Sequence, residues 1–197
     1  QELFINLNSL VHLKLGFNKL QFIKKSYFQN LLSLVYLYLN DNQISFIEAN
    51  SFTNQIKLER LYLRNNALKT IKYQTFKGLR SLTVLDLSYN EILTLDKNSF
   101  FDINQLEILY LQFNKLTYIN TNIFDGLFED NGRIDLSNNL LRYMNSSHRT
   151  RNNVKYLNLA NNILTKVDNI FVDFRILYEL NISNNLIKEI DFNSDIQ

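Results

Sequence analysis

Two histidines, His12 and His148, are the only imidazoles in a chain of 197 residues that has no cysteine. Zinc needs several His, Cys or carboxylate ligands converging on one point, and two isolated imidazoles far apart in the chain supply no such cluster. A Ser–His–Asp relay fails on the same count. The four glycines, Gly16, Gly78, Gly126 and Gly132, are scattered, so no glycine-rich loop cradles a phosphate. The reading is therefore of a protein without metal, cofactor or catalytic residues. Three groups with chemistry remain: the carboxylates Asp86 and Asp135, a large set of Tyr and Arg, and two N-x-S/T sequons, Asn145-Ser146-Ser147 and Asn181-Ile182-Ser183. What each group can do depends on the elements that carry it.

Those elements are visible as an internal repeat. Offsetting the chain by 24 residues superposes Leu10, Leu13, Leu15, Asn18 and Leu20 on Leu34, Leu37, Leu39, Asn42 and Ile44. Eight units follow, starting near 10, 34, 58, 82, 106, 131, 154 and 177. The alternation Leu-x-Leu is the period of a short strand with one buried face, so Leu13 and Leu15 point inward while His12 and Lys14 point out. One strand per unit stacks into a parallel sheet. An Asn closes each strand: Asn18, Asn42, Asn66, Asn90, Asn114, Asn139, Asn162 and Asn185. Its amide both donates and accepts, so it satisfies backbone groups that a buried turn would otherwise orphan. A second column, Phe4, Phe28, Phe52, Phe76, Phe100 and Phe124, fills the core on the return path.

The pattern LxxLxLxxNxLxxIxxxxFxxL resembles the 24-residue "typical" class of the leucine-rich-repeat family, as found in Toll-like receptor, Slit and chaoptin ectodomains. The resemblance runs over essentially all of residues 1–197, read as one domain with a partial first repeat and about eight repeats. It implies an α/β repeat solenoid, a right-handed horseshoe with a concave parallel sheet and irregular or single-turn helical segments on the convex side. Members of that class usually end in Cys-rich caps, which this sequence lacks, so the terminal caps are expected to be missing. The resemblance also implies a cell-surface or secreted protein, with a cytoplasmic scaffold as the alternative.

One unit departs from the pattern. Between residues 128 and 153 the first Leu is replaced by Asn131 and the convex Phe slot falls on Arg149, so a thinner core is expected there. The polar run Asn145 to Asn153 reads as an exposed loop, either a degenerate repeat or a lateral contact.

The concave face is where the repeat leaves side chains free. Its first outward column reads His12, Tyr36, Arg60, Val84, Ile108, Arg133, Tyr156 and Glu179, and its second Lys14, Tyr38, Tyr62, Asp86, Tyr110, Asp135, Asn158 and Asn181. Asn40, Arg64, Ser88 and Gln112 belong to a third. Asp86 and Asp135 fall two levels apart, roughly 10 Å at the usual strand spacing, which is too far to share a proton. A flat face with Tyr110 between them gives no cleft for glycoside hydrolysis either. Tyr and Arg are instead the residues enriched at the energetic centres of interfaces. Tyr36, Tyr38, Arg60, Tyr62, Arg64, Asp86, Ile108 and Tyr110 are thus the expected ligand-binding residues, with cross-strand packing of Tyr38 on Tyr62 as the structural alternative.

Charge is nearly balanced, 21 basic against 19 acidic residues, which implies neither nucleic acid nor membrane by itself. Residues 1–100 carry 12 basic and 7 acidic groups, and residues 101–197 carry 9 and 12, so the solenoid is polar along its length. A protein ligand is expected ahead of nucleic acid, because Asp86, Asp41 and Glu59 interrupt the basic and aromatic patch. Self-association stays open. The sequons Asn145 and Asn181 are glycosylation candidates in a secreted chain.

Overall fold

The computed structural model describes residues 4–145, 152–167, 174 and 176–190. With strands numbered in chain order, the odd ones are β1 His12–Lys14, β3 Tyr36–Tyr38, β5 Arg60–Tyr62, β7 Val84–Asp86, β9 Leu106–Tyr110, β11 Phe128–Asp135, β13 Val154–Asn158 and β15 Glu179–Asn181. They form one eight-stranded parallel sheet in strict chain order, with Leu13, Leu37, Leu61, Leu85 and Leu109 in register across the first five levels. Parallel neighbours one coil apart follow from a repeat that returns the chain to the same place every 24 residues. The result is a repeat solenoid with one strand of the sheet per coil.

The inward half of each strand makes the core. Leu37, Leu39, Leu61, Leu63, Leu85, Leu87, Leu109 and Leu111 are all fully buried, and burying one such side chain contributes about 1.5–3 kcal/mol. On the return path Phe28, Phe52, Phe76, Phe100 and Phe124 are buried, and the rings stack in pairs, Phe28 on Phe52 at 5.9 Å and Phe76 on Phe100 at 6.1 Å.

The even-numbered strands are β2 Phe22–Ile23, β4 Phe46–Ile47, β6 Thr70–Ile71, β8 Thr94–Leu95, β10 Tyr118–Asn120, β12 Tyr143–Asn145, β14 Lys166–Val167 and β16 Glu189–Ile190. They pair two by two into short parallel ladders. Of the two expected forms, irregular or single-turn helical segments, the described return paths are mostly turns and short ladders. One 3-10 helix, Thr121–Phe124, is the helix found among the described residues. No described helix is long and apolar enough to cross a membrane.

The sixth unit differs from its sequence reading. Phe128, not Asn131, stands in register with Leu106, and the register then jumps so that Arg133 faces Ile108. Against β9, residues 129–132 fall between two in-register positions, while Gly132 is in register with Val154 of β13, a bulge that residue counting cannot see. Phe128 is only 3% exposed and Val154 at the next level is fully buried, so the strand-side slot of the core stays filled, while the convex slot at Arg149 lies outside the described residues. Of the expected polar loop, Asn145 is exposed but Asn152 is buried, and residues 146–151, Arg149 and Arg151 included, lie outside the described residues.

Candidate recognition surface

The surface rests on a hydrogen-bonded turn repeated at every level. Asn90 Nδ2 donates to Leu87 O in its own coil at 3.1 Å and to Leu63 O in the coil before at 3.0 Å, while its Oδ1 accepts from Leu68 N–H at 3.1 Å. Asn42, Asn66, Asn114, Asn139, Asn162 and Asn185 make the same three links. Asn18, which is exposed, bonds within its own coil to Leu15 O and Gly16 O.

Immediately before each of these asparagines the backbone turns left-handed, with φ between 52° and 58° at Phe17, Asp41, Asn65, Tyr89, Phe113, Asn138, Asn161 and Asn184. Asn and Asp tolerate that conformation, whereas a bulky side chain there is an outlier that costs free energy. Phe17, Tyr89 and Phe113 therefore hold strained positions, and all three are exposed. Tyr89 and Phe113 stack with centroids 4.2 Å apart, and the Arg64 guanidinium lies over Tyr89 at 4.0 Å. The sequence reading passed over this column. Its signal was present as three aromatics among five Asn or Asp in a column that borders the binding face.

The expected ligand-binding residues lie along the outward face of the sheet. Tyr36, Arg60 and Val84 are register partners, as are Tyr38, Tyr62, Asp86 and Tyr110, and Ile108 sits between Val84 and Arg133. Tyr36, Tyr38, Tyr62, Asp86, Ile108 and Tyr110 are half-buried, and Arg60 and Arg64 are exposed. Neighbouring side chains cover one another. Tyr38 stacks on Tyr62 at 4.9 Å and 10°, His12 on Tyr36 at 4.4 Å and 7°, and Arg60 and Arg133 lie over Tyr36 and Tyr156. Cross-strand packing and exposure thus coexist on these rings.

Carboxylates on this face are held by neutral donors. Asp86 Oδ1 accepts from Ser88 N–H and Oγ–H at 2.9 and 2.6 Å, and Asp135 Oδ1 from Ser137 N–H at 2.9 Å. Asn65 and Asn40 each donate to Asp41 at 2.7 Å, and these two bonds, Asn65 first, hold its pKa below the ordinary aspartate value, with Arg64 adding to the effect. The Tyr62 hydroxyl beside Arg60 raises that guanidinium's pKa further. Among the described residues the one ion pair is Lys115–Glu91 at 3.0 Å, and no three His, Cys, Asp or Glu converge as metal ligands.

The sequon residues occupy different surfaces. Asn145 is exposed and closes β12. Asn181 is exposed on the sheet face, in register with Asn158, and its Oδ1 accepts from Ser183 N–H and Oγ–H.

Solved structures of the same shape include Toll from Drosophila in its complex with Spatzle, described as a molecular hub in development and innate immunity. It is 23% identical with a TM-score of 0.70, over 82% of this chain and 23% of that one. The TLR13–ssRNA13 complex matches at 26% identity and TM-score 0.71, over 89% of this chain and 24% of that one. The LRIM1/APL1C complex matches at 24% and 0.71, over 96% and 37%. The chain thus spans about a quarter of the first two and just over a third of the last. No curated protein matches the sequence. A profile described as "Leucine rich repeat" matches residues 8–55 and 56–116, more than half of the chain. With its Asn-bonded coils and eight-stranded parallel sheet, the chain belongs to the leucine-rich-repeat family.

Proposed function

We propose that this chain is a non-catalytic recognition module that binds a protein ligand on the outward face of its eight-stranded sheet, within a cell-surface or secreted receptor serving innate immunity or cell adhesion. The observation that carries the reading is the clustering of Tyr36, Tyr38, Arg60, Tyr62 and Arg64 on levels two and three, with Tyr110 on level five, of a face that the fold leaves unfilled. A solvated face without a partner has no need of large rings and guanidinium groups, which are the side chains that anchor interfaces. Support also comes from the Toll–Spatzle and LRIM1/APL1C complexes, in which solenoids of this fold meet other proteins.

Alanine variants of Tyr38, Arg60, Tyr62 and Tyr110, measured against a partner recovered by pull-down, test the binding face. Anchors of this kind lose about 2 kcal/mol or more on truncation, while Lys155 and Glu179 lose little. Unchanged affinity in all four moves the site elsewhere. Intact mass of the native protein before and after enzymatic deglycosylation tests the location. Glycan at Asn145 or Asn181 supports secretion, and an unmodified chain recovered from cytosol makes it an intracellular scaffold.

A further inference from the structure

Three rings on the sheet face and along its border have both π surfaces covered by neighbours. Tyr36 sits between His12, stacked at 4.4 Å, and Arg60, 5.7 Å from its centroid. Tyr38 sits between Lys14 at 5.5 Å and Tyr62 at 4.9 Å. Tyr89 sits between Arg64 at 4.0 Å and Phe113 at 4.2 Å. In each trio the outer partners come from the levels before and after, so they cover opposite faces of the central ring. Single-stranded nucleic acid binds such surfaces by laying bases on free aromatic faces. These three rings offer edges and hydroxyls instead.

Charge on the face is also segregated. The three outward columns of levels one to three carry Lys14, Arg60 and Arg64 and no carboxylate, with Asp41 and Glu59 flanking them in the chain, whereas the columns of levels four to eight carry Asp86, Asp135 and Glu179 against Arg133. Neither Arg60 nor Arg64 has a carboxylate within ion-pair distance among the described residues. Asp41, close enough to Arg64 for their charges to interact, has its oxygens taken by Asn40 and Asn65. Arg64 gives one N–H to Ser88 Oγ at 3.5 Å and Arg60 has the Tyr62 hydroxyl beside it, but a guanidinium has five N–H donors, so donors remain on each for a carboxylate.

We infer that the ligand segment seated on levels one to three is an acidic stretch of a protein, its carboxylates received by the edges of Arg60 and Arg64 and by Lys14. This rests on the sheet face being the recognition surface. Electrostatic complementarity favours it, and the covered rings set it apart from a nucleic-acid reading of the same cations.

Fluorescence anisotropy on the 197-residue chain, with labelled Glu/Ser peptide, Lys/Ser peptide and oligouridine of matched length, tests the inference. The Glu/Ser peptide binds most tightly, and Arg60→Gln and Arg64→Gln each weaken it about tenfold, the loss of one charged hydrogen-bonding group. Glu179→Gln leaves its affinity unchanged. All three side chains are exposed, so the variants keep the parent's thermal midpoint, which is measured alongside. Oligouridine binding as tightly as the Glu/Ser peptide overturns the inference. So does absence of Glu/Ser binding, or affinity that survives the double arginine variant. If alanine at Tyr38 and Tyr110 abolishes binding of the captured partner while the arginine changes leave it intact, the recognition reading stands and the acidic ligand alone falls.

Discussion

The ring of Phe128 covers Gly132, four residues on in the same bulged strand, so closely that a Cβ there would lie 2.7 Å from both Cδ atoms of the ring. Glycine is required at this point by space. The expected result is that Gly132→Ala destabilises the fold by about 1–3 kcal/mol, the usual cost of overpacking a filled core. Combined with Phe128→Leu, which removes the ring, the loss is smaller than the sum of the two single changes in a denaturation double-mutant cycle. Additive losses would mean that the ring and the glycine are independent.

Asn90→Ala leaves Leu68 N–H without its partner in a buried turn and removes one of the two amide donors on Leu63 O and on Leu87 O, which keep Asn66 and Asn114; Asn66→Ala does the same to Ile44 N–H, Leu39 O and Leu63 O one level earlier. Chemical denaturation should show losses of about 1–3 kcal/mol each, larger at Asn90, which is buried, than at the half-buried Asn66. Asn18→Ala, at an exposed position bonded only within its own coil, should cost less than either. Equal stability in all three variants would remove the ladder as a source of stability.

Phe17 is 82% exposed and held at φ 56°, a conformation that asparagine occupies at other levels of the same column. Relief of that strain should make Phe17→Asn more stable by up to about 1 kcal/mol, read as a raised thermal midpoint. A lowered midpoint would show that the ring contributes packing worth more than the strain.

Asp41 carries a pKa below the ordinary aspartate value because Asn65 and Asn40 hydrogen-bond its ionised form. Its folded value lies below its unfolded one, so the stabilisation is present above the unfolded pKa and is lost as pH falls through the folded pKa. An NMR titration should therefore place the Asp41 midpoint below that of an unstructured aspartate. Asn65→Ala should move it upward. A midpoint unmoved by that change would leave Asn40 and Arg64 as its determinants.

The sequence by itself determined the coil, the parallel sheet, the ladder Asn of each level and the slots of the core Leu and Phe of the first five units. Strand alternation is local, and an unbroken spacing of 24 between Leu10, Leu34, Leu58, Leu82 and Leu106 places every level on its neighbour. It also indicated which residues the fold leaves outward, Tyr38, Arg60 and Tyr62 among them. Only the tertiary structure decided how those side chains meet. Tyr36, Tyr38 and Tyr89 have covered faces because rotamers on three successive levels bring partners to both sides, a relation that no single unit contains. The sixth unit escaped counting for a similar reason: Phe128 reaches the Leu106 column through a bulge against β9 at residues 129–132, and a bulge changes the number of residues between slots while the slot itself stays filled.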